Sequence, residues 1–420
     1  MTTAVATPGM DCDRQGGLVP VREARRLLLA GLLPVDAPAE VALSEALGRV
    51  LAADTGTPLP LPPFDRAAVD GYGVGSLGQG PFTIVGRVTA GGAPPASIAP
   101  SQALRLLTGA RVPEGVAAVA MSEACSVSGA QVNLAAVPRA GENIRRRGEE
   151  AERGDVLLRA GAQLDARHIA LLASAGIGRV AVRRRPRVAV LSAGDELAEP
   201  GTVAGAAGVF DSNRPMLRAV LAGAGAEVVD LGILPDDRDA IAATLRGAAA
   251  CDAILASGGV AGSEADHLLG ALRQAGGEGA WMPIALKPGK PLVFGWLGGA
   301  RCLFLPGNPV AALVGAVLFA RPLLETLSGA LPRDPGWLPA VAKTGWERRP
   351  GREEFVPARI SGSDAAHRLV VDRLARAGSA RLLPLVAAEG LMRVPTEAAH
   401  VQSGSTVRFL PFSALGLCAT

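Results

Sequence analysis

A chain of 420 residues, 49% hydrophobic and 19% charged, is globular and too long for one core, so roughly two to four domains are expected. A net charge of +3 with 3% aromatic residues excludes the basic, aromatic-lined surfaces that bind nucleic acid. Five cysteines (Cys12, Cys125, Cys251, Cys302, Cys418) lie far apart with no CxxC pair, which fits a reducing cytoplasm and argues against a zinc site.

Residues 1–17 lack the apolar core of a signal peptide and are expected to be disordered. Val19–Leu33 carries an apolar stripe beside Arg22, Glu23, Arg25 and Arg26, which predicts an amphipathic helix. Glu40–Ala53 reads as a second helix. The prolines of Pro58–Phe64 hold that run extended and deliver Asp65, Arg66, Asp70, Gly71 and Tyr72 into a tight loop. From Gly73 to about Val137, short alternating runs broken by Gly and Pro predict a small all-β unit, with Thr108-Gly109-Ala110 leaving one strand. Arg145–Arg147 followed by Glu149 and Glu150 is almost neutral locally and reads as a solvated hairpin. Leu164–Ala175 is helical, with Gly176 as its C-cap. RRRPR, within Val180–Val190, reads as a domain junction.

From Arg187 strands alternate with helices, which predicts a mostly parallel, three-layer α/β/α sheet. RVAVLS, EVVDLGIL, Ala253–Ala256 and CLFL read as strands; Pro215–Ala224, Arg238–Ala249, LLGALRQA and the run to about Leu327 read as helices. The apolar stretch Val310–Ala320 is too short to span a bilayer and reads as a buried helix. IALKPGKPLVFG (284–295) reads as a strand pair. After Gly329, residues 337–413 alternate as short β runs and form a C-terminal β-domain.

Ligands of an open parallel sheet bind where strands end at their C-terminal edge. Four polar turns fall there: Ala193–Glu196, Asp236-Asp237, Gly258–Asp266 and Pro306–Pro309. Gly258 and Gly259 free backbone N–H groups at a helix N-terminus, a natural anion cradle, and Lys287 and Lys290 stand near by in sequence. Asp195, Glu196, Asp236 and Asp266 put carboxylates on the same rim, which suits a divalent cation such as Mg²⁺ bridging a phosphate. No Ser-His-Asp or Cys-His arrangement is evident. The residues alone reach Mg²⁺-assisted handling of a phosphorylated or anionic ligand.

PPFDRAAVDGYGV, RLLTGARVPEG, GENIRRRGEE, PRVAVLSAGDELAEPG, FDSNRPML, LGILPDD, SGGVAGSEAD, ALKPGKPLVFG and LPGNPVAALV occur in this order. Together they resemble the molybdopterin molybdenumtransferase family, the MoeA-type proteins that include the gephyrin C-terminal domain, over about residues 18–413. The resemblance implies a multi-domain fold. A linking and dimerisation domain, helical and extended, takes 18–66 and 148–185, and a small β-domain takes 67–147. The α/β molybdopterin-binding domain takes 186–331, and a C-terminal β-barrel-like domain takes 332–413. It implies a cytoplasmic homodimer, with molybdopterin adenylyltransferase and molybdoenzyme delivery factors as further partners, and no membrane or nucleic acid. It implies that molybdate is inserted into adenylylated molybdopterin with Mg²⁺ and release of AMP.

Carried over position by position, Asp70, Thr108, Glu150, Glu196, Asp236 and Asp266 would be catalytic. Gly258, Gly259, Ser263, Lys287, Lys290, Pro306, Asn308 and Pro309 would bind substrate. Glu196, Asp236 and Asp266 would hold the metal. The loop with Asp70 and Thr108 would lie over the carboxylate rim of the partner subunit. The family's usual Asn-Ser in the first loop is Arg66-Ala67 here, and its usual Asp after Gly-Glu is Glu150. A lysine often found four residues before Lys287 is Pro283. Hydroxyls usual on three rim turns are replaced by Ala193, Ala261 and Ala311, and Ser263 is placed to replace one. A lost donor to a bound oxyanion costs roughly 1–3 kcal/mol. The alternative is therefore a catalytically weak paralogue that binds and delivers the cofactor.

Overall fold

The computed structural model describes residues 17–260, 267–331, 335–374 and 378–417. The expected disorder of the N-terminus falls on residues almost wholly outside this set. The chain forms two compact units, Ala39–Val182 and the stretches on either side of it. The first helix, α1, is Val21–Leu29, shorter than its apolar stripe, and it buries Ala24 and Leu28.

The second helix predicted, Glu40–Ala53, does not form. Pro38–Ala42 is a strand paired with Arg179–Arg183, followed by a single 3₁₀ turn at Leu43–Glu45. Apolar residues at helical spacing invited the misreading. In the fold they serve an irregular core in which Ala46 and Leu51 pack on Leu164, Leu172, Val180 and Val182. Gly48, at φ +74°, turns the chain where a helix would have to continue.

Within Ala39–Val182 lies a six-stranded sheet: β1 (Gly71–Val74), β2 (Phe82–Val88), β3 (Gln102–Leu106), β4 (Ala118–Met121), β5 (Cys125–Ser128) and β6 (Gln131–Leu134), in the order β4-β1-β3-β2-β6-β5. Its strands alternate between two cores. Leu104, Leu106 and Val119 fill one, while Val74, Ala103, Ala120 and Val132 fill the other. Helix α2 (Ala166–Ser174) starts at a capping box, where the Asp165 carboxylate accepts from the Arg167 and His168 amides. It ends before Gly176, whose φ is +74°.

The other unit holds a three-layer domain. Its sheet comprises β7 (Arg187–Ala193), β8 (Glu227–Leu234), β9 (Ala253–Ser257), β10 (Glu278–Pro283), β11 (Pro291–Leu297) and β12 (Ala300–Leu305), in the order β8-β7-β9-β12-β11-β10. β8, β7, β9 and β12 are parallel; β11 and β10 add an antiparallel edge. Val188, Val190, Leu255 and Leu303 enter a core on one face, and Ala189, Leu191, Ile254 and Phe304 enter another on the opposite face. That double burial explains why these strands read as unbroken apolar runs.

Helices α3 (Asn213–Gly223) and α6 (Pro309–Leu327) cover the first face with α1, and α4 (Arg238–Gly247) and α5 (Leu268–Gln274) cover the second. α6 runs past Arg321 and Pro322 through a wider π turn at Ala316–Ala320. It is long and apolar enough to cross a membrane, with mean hydropathy 1.7, yet 78% of it is buried in the fold.

The C-terminal strands are β13 (Leu338–Ala342), β14 (Glu353–Ser363), β15 (Leu369–Arg373), β16 (Gly390–Val394) and β17 (Thr406–Pro411). They follow the order β14-β15-β13-β17-β16, and the β14–β16 pairing closes the barrel. Residues 284–295 are not a strand pair. Leu286–Lys287 joins the barrel sheet, parallel to β14, while β11 joins the α/β sheet. The sharp Lys287–Lys290 turn thus passes between two sheets of the same unit.

Candidate functional site

The register of the parallel strands builds the site. Ala193 is level with Leu234, Ser192 with Ser257, and Ser257 with Leu305. Four strand exits therefore share one edge, and the turns that follow face a common cavity of about 960 Å³. That volume accommodates a cofactor-sized ligand. Ala193, Gly194, Glu196, Asp236, Gly258, Gly259, Lys287, Pro306 and Asn308 line it.

Backbone bonds knit the turns together. Gly194 N–H donates to the Leu234 carbonyl at 3.1 Å, and Gly258 N–H to the Leu305 carbonyl at 3.1 Å. The Asp236 amide donates to Asp195 Oδ1 at 3.0 Å. The bond is reciprocated, since the Asp195 amide donates to Asp236 Oδ2 at 3.4 Å, so the two aspartates hold each other's turns, and Glu196 and Asp236 line the cavity. Gly258 has φ +98°, and a Cβ there would sit 2.5 Å from the Ala193 carbonyl oxygen. The close approach of these two strand exits therefore requires glycine.

The opposite wall comes from the barrel domain, a contribution that the turn pattern does not reveal. Trp346, Arg352, Glu354, Arg373 and Ser379 line it. Lys287 is not a free cation: its Nζ lies 2.8 Å from Glu354 Oε1, and Glu354 Oε2 accepts from the buried Arg348 Nε at 2.9 Å. Arg373 stacks over Trp346, 5.0 Å from the ring centroid. Arg352 also lines the cavity and forms no ion pair with a carboxylate among the described residues. Lys290 and Pro309 do not line the cavity; Lys290 is exposed, and Pro309 opens α6. Ser263 and Asp266 lie outside the described residues.

The remaining candidates belong to Ala39–Val182. Asp70 and Thr108 meet: Asp70 Oδ1 accepts from the Thr108 amide at 2.7 Å and from its hydroxyl at 2.6 Å. The Thr108 hydroxyl and amide hold the Asp70 carboxyl below its ordinary value. Glu150 is ion-paired with Arg145, as is Glu149. Arg146 bonds Asp65 at 2.6 Å. Burial would raise the Asp65 carboxyl, but the Arg147 amide and the Arg146 guanidinium outweigh it and hold the group low. Arg145 and Arg147 thus meet carboxylates of their own segment, as its near-neutrality suggested, but Arg146 reaches the distant Asp65.

The donor set around the cavity is compatible with Mg²⁺. Glu196 and Asp236 are hard oxygen donors on one wall, and Mg²⁺ takes one or two carboxylates with water and substrate phosphate. Among the described residues, no three His, Cys, Asp or Glu side chains converge as a metal-binding group.

Three family models match the chain in order. They are the MoeA N-terminal region (domain I and II) at 19–176, the probable molybdopterin binding domain at 189–326, and the MoeA C-terminal region (domain IV) at 339–412. A Haemophilus influenzae molybdopterin molybdenumtransferase is 35% identical over 379 residues, covering 89% of this chain and 93% of the relative. A Mycobacterium tuberculosis molybdopterin molybdenumtransferase 2 is 33% identical over 414 residues, covering 92% and 98%. The crystal structure of a Pyrococcus horikoshii molybdopterin biosynthesis moeA protein superposes with a TM-score of 0.78 at 29% identity, covering 93% of this chain and 99% of that one.

Proposed function

This chain belongs to the molybdopterin molybdenumtransferase (MoeA-type) family, transferases of molybdenum cofactor biosynthesis, and from that premise we propose the reaction that its rim performs. The cavity takes adenylylated molybdopterin, molybdate enters at the dithiolene, and the phosphoanhydride to AMP is cleaved by water. The observation that carries this reading is the shared cavity lined together by Glu196, Asp236, the Gly258-Gly259 turn and Arg352. Gly258, its own N–H held by the Leu305 carbonyl, brings the turn close to the ligand, and the Gly259 N–H is the backbone donor for a phosphate. Pro306 and Asn308 shape one wall for the pterin, with Pro309 fixing the helix entry behind them. Lys287 meets an anion while tethered to Glu354, and Lys290 supplies positive charge outside.

Glu196 and Asp236, with Asp266, would hold Mg²⁺. Bound there, the ion supplies charge neutralisation at the phosphoanhydride. Asp70, Thr108 and Glu150 act from the other unit, in the homodimer from the partner subunit, and the protein works in the cytoplasm. Molybdopterin adenylyltransferase would supply the substrate, and molybdoenzyme delivery factors would take the product.

A second reading rests on Ala193 and Ala311, which line the cavity where the family usually carries hydroxyls. It makes the chain a binding and delivery module. AMP release separates the two: with adenylylated molybdopterin, molybdate and Mg²⁺, the enzyme produces AMP well above the enzyme-free rate. Equal rates would leave only the delivery role.

A further inference from the structure

The motif FDSNR lies behind the rim, and its two last residues reach in opposite directions. Asn213 is buried at the first position of α3. Its Nδ2 donates to Ser257 Oγ at 2.7 Å and to the Gly307 carbonyl at 2.6 Å. Ser257 Oγ in turn donates to the Pro306 carbonyl at 3.3 Å. One amide thus joins the end of β9, just before the Gly258-Gly259 turn, to the proline turn after β12.

Arg214 is just as buried and serves the other two turns. Nε donates to Asp211 Oδ2 at 3.2 Å, Nη1 reaches Asp230 Oδ1 at 2.6 Å, and Nη2 bonds Glu199. Asp211 also caps α3 by accepting from the Asn213 and Arg214 amides at 3.0 and 3.1 Å. Asp230 sits where β8 bulges: Val190 pairs with Asp230, but Ser192 pairs with Ile233. Its Oδ1 accepts from Gly232 N–H at 3.0 Å within that bulge, and Arg218 adds a contact at 2.6 Å.

The bulge sets how β8 delivers Asp236. Glu199 belongs to the excursion that begins with Glu196, whose carbonyl accepts from Val209 N–H at 2.8 Å as the excursion returns. Arg214 therefore grips both segments that carry rim carboxylates. Burial opposes its charge, but Asp230 and Glu199 outweigh that and raise its pKa above the ordinary value. The guanidinium stays a cation in every state of the cycle.

We propose that Asn213 and Arg214 are paired positioning residues that divide the site. Arg214 sets the spacing of Glu196 and Asp236 for the divalent cation, and Asn213 sets the glycine and proline turns for the pterin phosphate. This rests on the function proposed above. Generic stabilisers would lower stability without separating the two ligands. Positioning residues of this kind separate them, because each reaches different turns.

The test uses the full-length protein, AMP release and Mn²⁺ binding followed by electron paramagnetic resonance. Glu199→Gln removes the charge of one of the three carboxylates that hold Arg214, a half-exposed one, and leaves no buried charge unpaired. It is expected to weaken Mn²⁺ binding about tenfold, as outer-shell losses do, and to lower kcat at limiting Mg²⁺ with KM for adenylylated molybdopterin unchanged. Asn213→Ser is expected to do the reverse, raising that KM and leaving Mn²⁺ binding unchanged. Thermal melts identify any variant that has lost its fold, and Glu199→Gln alone still decides the metal half. Unchanged Mn²⁺ affinity in Glu199→Gln, or both variants shifting both ligands alike, overturns the inference. A wild type that releases no AMP overturns the function instead, while the Mn²⁺ arm still tests the role of Arg214.

Discussion

Replacing Gly258 by alanine tests whether the rim depends on the close packing of two strand exits. At φ +98° the backbone is in a region that only glycine adopts freely, at a cost of about 1–3 kcal/mol for another residue. The added Cβ would also lie 2.5 Å from the Ala193 carbonyl oxygen, so the strand ends must part by half an ångström or more. Both contacting groups are backbone in a paired sheet, so neither yields by rotating a side chain. Together these put the loss near 3 kcal/mol, or a fall of roughly 6–12 °C in the melting transition of this unit. Displacing a turn in the cavity wall also predicts a fall in kcat/KM on the order of 100-fold. Gly259→Ala is the control. At φ +56° it falls in the left-handed region that alanine enters for about 1–2 kcal/mol, and its Cβ meets only the Leu268 side chain at 3.3 Å. Calorimetry and AMP release on both variants decide the matter. If Gly258→Ala melts and turns over like Gly259→Ala, the strand-exit reasoning is wrong.

Lys287→Met removes one of two partners of Glu354, and Arg348 retains the other. The melt should hardly move, while substrate affinity drops about 10- to 100-fold with the loss of a charge-assisted bond; unchanged KM would argue against an anion at Lys287. Arg167 first, then the helix amides, hold the Asp165 carboxyl far below its ordinary value. A depressed folded-state pKa gives stability that is fully present above the unfolded value and is lost as pH falls through the folded one, so Asp165→Ala should melt earlier at neutral pH, with a gap that holds down to about pH 4 and narrows steadily below it. A gap of the same size in strong acid would contradict this. If Asp70 and Asp236 act in one composite site across the homodimer, mixing inactive Asp70→Ala and Asp236→Ala proteins should restore AMP release; a mixture as inactive as its components rules out the shared site.

The parallel layer was legible because local signals agree. Apolar runs buried on both faces mark β7, β9 and β12, and each polar turn after a strand must lie at the same edge. The opposite wall was hidden because it is set by tertiary pairing. Nothing near Lys287 in sequence announces Glu354; they meet because Leu286–Lys287 registers beside Glu353 and Glu354. Arg352 sits in RRPGREE, just before β14, and nothing in the alternating β runs of 337–413 marks it as a cavity residue. Residues 40–53 failed for the opposite reason, since helical spacing was present but pairing with Arg179–Arg183 prevailed. FDSNR entered only as one of the motifs that carry the resemblance, because the reach of Asn213 and Arg214 depends on strands that follow it by many residues.

In the proposed reaction, one cavity couples molybdate insertion to loss of AMP. Measuring released AMP and protein- or pterin-bound molybdenum in the same reaction tests it directly. Both are expected to rise in step, to require molybdate, and to fall together in Asp236→Asn. AMP released without molybdenum gained, or molybdenum gained at the wild-type rate in Asp236→Asn, would contradict it.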